Sequence, residues 1–185
     1  MTSTGTLLTM ERFSELPDYD ERTGNRYELD HGELIVVPPQ KPIHDLVKCE
    51  VAYLLRSRSE RRKLPGKVLT ETGYVLDEDS WRVPDVSFLS EERVRAIDMN
   101  VPLGPAPDLA IEVVSPSERR PVVRRKIDHF LASGAKVVWA LYPALRELHV
   151  HRTGQNVVKL CASDFVEEPT LLPGFRVLVA DLFAV

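Results

Sequence analysis

The sequence predicts an α/β (α+β) fold, a mixed central sheet flanked by helices and preceded by an N-terminal β-hairpin. Three observations predict it. Strand-like apolar segments recur between residues 67 and 179. Two long stretches, 43–62 and 121–133, carry apolar residues at helical spacing. Residues 26–37 alternate about a polar Asp30-His31-Gly32 turn. The length of 185 residues suits a single domain over 1–185, large enough to bury most of its apolar surface without disulfides.

Each element has a local reason. Thr9 precedes Met10, Phe13 and Leu16 at helical spacing and Pro17 follows, which predicts a short amphipathic helix. Gly32 supplies the positive φ of the hairpin turn, and Pro38-Pro39 ends the second strand. Ile43, Leu46, Val47, Val51, Leu54 and Leu55 recur at three and four, predicting a long helix to about Arg62. Lys67 to Leu76, Arg82 to Leu89 and Ala110 to Val114 read as strands, with a proline-containing loop from Asn100 to Pro107. A second long helix is expected from Pro121 to Ser133, with proline in its first turn and Gly134 as the stop. Ser115 to Glu118 then forms a turn, because Pro121 would break a helix begun at Ser115. Lys136 to Leu141 is almost continuously apolar, as a central strand is. Glu147 to Arg152 and Val157 to Cys161 form a hairpin, and Phe175 to Val179 is a last strand.

Composition excludes several classes. The hydrophobic content of 43% and charged content of 28% are those of a soluble globular protein, and no apolar run approaches a membrane span. The polar start Met1 to Thr6 lacks the features of a signal peptide, so a cytoplasmic location is expected. Cys49 and Cys161 have no metal-ligand spacing and fit reduced thiols. A net charge of −4 argues against a wholly basic surface, but binding a polyanion needs only a local field. Two basic clusters offer one: Arg56, Arg58, Arg61, Arg62, Lys63 and Lys67, and then Arg119, Arg120, Arg124, Arg125 and Lys126.

The candidate chemistry begins with two carboxylates that interrupt apolar strands, Asp85 and Glu112. Burying an ionised carboxylate among Val, Ile and Leu costs several kcal/mol unless a cation compensates it, and a shared divalent metal would do so. Oxygen ligands favour Mg2+ or Mn2+ over zinc. Helical spacing sets Lys126 at the edge of the stripe Val123, Ile127, Phe130 and Leu131, aimed towards the sheet. Ser115, Ser117, Arg119, Arg120, Arg124 and Arg125 follow Glu112 closely and are the expected nucleic-acid contacts. Glu28 and Glu33 flank the hairpin turn and cannot both face one site. His44, at the start of the long helix, is a candidate general base or phosphate contact. His31, His129, His149 and His151 read as turn, helix-surface and strand-surface residues, and Trp81 and Trp139 as core or rim packing.

Pro84-Asp85 and Glu112-Val113-Val114 resemble the motif of the PD-(D/E)XK nuclease superfamily. The chain more specifically resembles the Uma2 family of restriction endonucleases. That likeness rests also on Tyr27 to Leu34, Pro42-Ile43-His44, Glu112 to Ser117, Lys126-Ile127, Gly134 and Val138-Trp139, and spans most of the chain. The resemblance implies a restriction-endonuclease-like sheet and a Mg2+-dependent (or Mn2+-dependent) endodeoxyribonuclease acting on DNA. It implies metal ligation by Asp85, Glu112 and the Val113 carbonyl, and it favours a carboxylate of the hairpin, Glu33, near the metal. The superfamily lysine is absent, since its position holds Val114, and Lys126 is the expected replacement. Cutting both strands with one site per chain predicts a homodimer. The alternatives are an inactive nucleic-acid-binding or interaction module that kept the fold, and a hydrolase of small phosphoesters.

Overall fold

The computed structural model describes residues 7–62, 66–98 and 100–185, without the side chains of 58–62. Thr9 caps α1 (Met10–Ser14), its Oγ1 accepting from the Arg12 amide. β1 (Arg26–Asp30) and β2 (Glu33–Val37) form the hairpin, with Leu29 opposite Leu34 and Asp30 opposite Glu33. Its two turn residues, His31 and Gly32, have φ of 49° and 77°, as a two-residue type I′ turn requires. α2 (Pro42–Arg62) opens on a proline, whose missing N–H costs nothing in the first turn.

The chain continues through β3 (Gly66–Thr70), β4 (Tyr74–Asp77), β5 (Ser80–Arg82), β6 (Val86–Ser90), α3 (Glu91–Ala96) and β7 (Leu109–Val113). Next come α4 (Arg120–Ala132), β8 (Val137–Tyr142), β9 (Glu147–His151), β10 (Val158–Leu160), β11 (Phe165–Glu167), β12 (Arg176–Leu178) and a closing 3-10 helix, Val179–Phe183. The main sheet has the order β10-β9-β8-β7-β6-β3, with β7 and β8 parallel and its other neighbours antiparallel. A parallel pair needs a crossover, and α4 provides it. A smaller antiparallel sheet has the order β2-β1-β5-β4, and β11 pairs with β12.

The main sheet is covered on both faces. Val47, Val51 and Leu55 of α2 pack with Val86, Phe88, Ile111, Val113 and Trp139 on one side. Val123, Ile127 and Phe130 of α4 pack with Ala110, Val114, Val138 and Ala140 on the other. Burial on both faces is why β8 reads as a continuous apolar run rather than an alternating one. Val114, two residues after Glu112, is therefore a buried apolar contact beneath α4.

Two expected strands are each broken in two. Residues 67–76 divide into β3 and β4 at Glu71, which has φ 51°, and Gly73, where an added Cβ would stand 1.9 Å from the Trp81 ring. Residues 82–89 divide into β5 and β6 at Val83-Pro84-Asp85, since Pro84 has no N–H to continue a ladder. At both breaks the chain passes between the two sheets. Asp85 consequently sits at the crossing and not within a strand. Short α3, capped by Ser90 Oγ, and three-residue β11 are elements too brief for sequence periodicity to mark. The turn expected before α4 is present: the Ser115 amide donates to Glu118 Oε2 at 2.6 Å, and α4 begins only at Arg120. Among the described residues no helix is long and apolar enough to cross a membrane, and both cysteines are free and exposed.

Candidate active site

Asp85 lies just before β6, where extending the β6–β7 register one residue past Val86↔Ile111 sets it across from Glu112. Its carboxylate is buried and held from three sides. Oδ2 accepts from the Val113 amide at 2.7 Å and lies 3.3 Å from His44 Nε2, while Oδ1 accepts from Gln40 Nε2 at 3.1 Å. The first turn of α2 thus delivers His44 to the sheet edge, and the segment leading into α2 delivers Gln40.

Glu112 meets Lys126 from the opposite direction. Lys126 Nζ is 3.0 Å from Glu112 Oε2, 3.0 Å from Glu28 Oε1 and 3.0 Å from the Val83 carbonyl oxygen. Glu28 reaches the cluster because β1 turns it inward on the same face as Asp30. Its Oε2 accepts from Arg82 at 3.0 Å, and Arg82 also binds Asp30. One face of the small sheet, the Pro84 crossing, the end of β7 and one edge of α4 converge here.

The charges do not balance. Four carboxylates, Asp85, Glu112, Glu28 and Asp30, are met by three fixed cations, Lys126, Arg82 and Arg125. Burial pushes the Glu112 carboxyl well above its ordinary range, and the nearby Asp85 and Glu28 charges outweigh part of the relief given by Lys126. Burial also disfavours the charged form of Lys126, but the Glu112, Glu28 and Asp85 carboxylates more than offset it and hold the ammonium above its usual range. For Asp85, burial raises the carboxyl, yet the His44 contact, Lys126 and the Val113 amide together bring it below the ordinary value. Glu112 Oε1 is buried and accepts no hydrogen bond. An all-oxygen donor set with surplus negative charge and one open carboxylate oxygen fits a hard divalent cation.

Of the remaining expected residues, Glu33 does not join this cluster. It stands on edge strand β2 with its side chain 59% exposed and pairs with Arg125 at 3.5 Å, so Glu28 is the hairpin carboxylate at the site. The hairpin register pairs Asp30 with Glu33 and Glu28 with Ile35, so the two glutamates share one face instead of pointing to opposite ones, and sheet order separates them: β1 is interior and β2 is an edge. Val113 touches the cluster through its amide. Arg125 is turned towards the hairpin, with Nε 2.8 Å from Asp30 Oδ2, and Arg124 binds Asp128 one turn on at 2.8 Å. Ser115 and Ser117 share a hydrogen bond of 2.9 Å between their hydroxyls, and Arg119 and Arg120 are exposed beside them. In the first basic cluster Arg56 donates to the Val68 carbonyl. Lys63 and the side chains of Arg58, Arg61 and Arg62 lie outside the described residues. His129 and His151 are buried rather than on the surface.

Sequence reasoning missed Gln40, Arg82 and the inward choice of Glu28. A signal existed for the last two: Glu28 and Asp30 are two acids on one strand face, and Arg82 stands two residues before Pro84.

Comparisons with known proteins bear on this cluster. The model of the Uma2 family, described as "Putative restriction endonuclease", matches residues 10–181. A solved structure from Anabaena variabilis, described as a putative nuclease belonging to DUF820, superposes with a TM-score of 0.81. It is 23% identical, and the match covers 96% of this chain and 98% of that one. None of the curated proteins matches the chain.

Proposed function

The chain belongs to the Uma2 family, and from that membership and the cluster around Lys126 we propose that it is a metal-dependent endodeoxyribonuclease hydrolysing phosphodiester bonds of DNA. The observation that carries this reading is the 3.0 Å approach of Lys126 to Glu112, whose other oxygen is buried without a partner. Asp85 and Glu112, with the Val113 carbonyl, would hold Mg2+ or Mn2+. When bound, the ion would polarise a phosphate oxygen and lower the pKa of a water.

The protein groups have separate tasks in this reading. Lys126 supplies a fixed positive charge for the transition state, the role for which the motif lysine is missing at Val114. Glu28 holds that ammonium in place and is itself held by Arg82. His44 and Gln40 orient Asp85. Ser115, Ser117, Arg119 and Arg120 lie at the turn leading from the cluster and are proposed to contact DNA phosphates. A two-fold assembly of one domain per chain would set two such sites on a duplex.

The test is a titration of the metal-free protein with Mg2+ and Mn2+ against nicked, linear and supercoiled DNA. Metal-dependent cleavage that disappears in Glu112→Gln is the expected result. DNA binding with no cleavage under any metal condition would overturn the reading in favour of a binding module.

A further inference from the structure

A second cluster of metal-ligating groups lies on the far side of the Arg82 ion pairs, at the hairpin turn. His31 from the turn, Asp30 from the end of β1 and His129 from α4 each place one ligand atom within 4.8 Å of the other two. We propose that these three residues form a site for a borderline-soft divalent ion of the zinc class, distinct from the carboxylate cluster around Lys126.

His129 Nε2 lies 2.9 Å from Asp77 Oδ2, and since a carboxylate only accepts, the ring proton belongs on Nε2. In the neutral ring His129 Nδ1 then presents a bare lone pair. What it faces is Asp30 Oδ1 at 3.5 Å, and both atoms are buried with no hydrogen-bond partner. Asp30 and His129 are 2% and 8% exposed, so water does not relieve the pair. Two buried acceptors facing each other are unfavourable, and a cation between them resolves the conflict.

The surroundings have the form of a metal shell. Asp77 on His129 Nε2 is the carboxylate that fixes the tautomer and orientation of a ligating imidazole. Arg82 and Arg125 engage Asp30 at Oδ2 and leave Oδ1 open. His31, whose ring stacks on His129 with centroids 4.7 Å apart, is exposed and able to close the remaining gap to a nitrogen–metal distance of about 2.1 Å. Two imidazoles with a carboxylate suit Zn2+ or Co2+, whereas the all-oxygen cluster suits Mg2+. An ion here would fasten the β1–β2 turn to α4 one turn from Lys126. The inference does not depend on the proposed reaction.

The experiment titrates metal-free protein with Zn2+ alone, by calorimetry, and with Co2+ alone, by visible absorption, in a Glu112→Gln background that disables the other cluster. About one Zn2+ per chain should bind, and cobalt should give the bands of a nitrogen-containing site. Adding His31→Ala should weaken binding by at least about tenfold, and adding His129→Gln should abolish it. His31 is exposed, so its variant remains decisive should the His129 variant fail to fold. Zn2+ affinity equal with and without His31→Ala would overturn the proposal. Absence of Zn2+ binding to the Glu112→Gln protein would overturn it too.

Discussion

The ammonium of Lys126 stands 3.0 Å from Glu112 Oε2, although Lys126 belongs to α4 and Glu112 to β7. Lys126→Ala should therefore lower turnover about a hundred- to a thousandfold with KM nearly unchanged, as removal of a group acting in the transition state does. It should also cost about 3 kcal/mol of stability at pH 8, because Glu28 and Glu112 lose their cation. That cost should shrink as pH falls and the raised Glu112 carboxyl takes up its proton. Urea unfolding at pH 8 and at lower pH, alongside single-turnover cleavage, reads both effects.

Glu112→Gln should act oppositely on stability. The folded carboxyl is raised well above its ordinary value of 4.5, so at pH below that value both folded and unfolded states are protonated and burial carries no penalty. The penalty grows as pH rises through the folded value and is complete above it. In chelator the variant should match the parent near pH 4 and be equally or more stable at pH 8, while losing Mg2+ binding. Greater stability of the parent at pH 8 would identify the Lys126 pair as a net structural contributor.

Asp85→Asn should instead destabilise, by about 1–3 kcal/mol near neutrality, since a neutral amide is a weaker partner for the Val113 amide and His44. The Asp85 carboxyl is depressed below 3.8, so its contribution is present above that value and lost as pH falls through the folded value. Thermal melts of parent and variant should converge in strong acid and separate at pH 6.

The arginines of the post-β7 segment should divide into two groups. Arg119→Ala and Arg120→Ala should weaken DNA binding and lower the slope of log affinity against log salt by about one for each phosphate no longer neutralised. Arg125→Ala should change the slope little and reduce stability, because its guanidinium is held 2.8 Å from Asp30. Fluorescence anisotropy over a salt series separates the groups.

A homodimer is expected of a duplex-cutting enzyme with one site per chain. Light scattering at micromolar concentration should give twice the chain mass of 20.9 kDa, and the monomer mass with intact double-strand cleavage would remove this expectation.

Much of the site could be read locally. Asp85 and Glu112 stand out because each interrupts an apolar segment, and the edge of the α4 stripe aims Lys126 towards the sheet before any partner is known. The Asp30-His31-Gly32 turn is equally local, since its positive φ values follow from its own residues. Periodicity says which way a side chain points from its own element; it does not say what stands opposite. Glu28 rather than Glu33 meets Lys126 because sheet order makes β1 interior and β2 an edge, a pairing across 98 residues of chain. Asp85 left its strand because Pro84 ends one sheet and the chain must cross to the next. His129, read as a surface residue of α4, is buried because the hairpin turn folds over it. Local dihedral preference and amphipathic spacing act within a few residues, whereas the balance of buried charge is set by elements that meet only when the chain is packed.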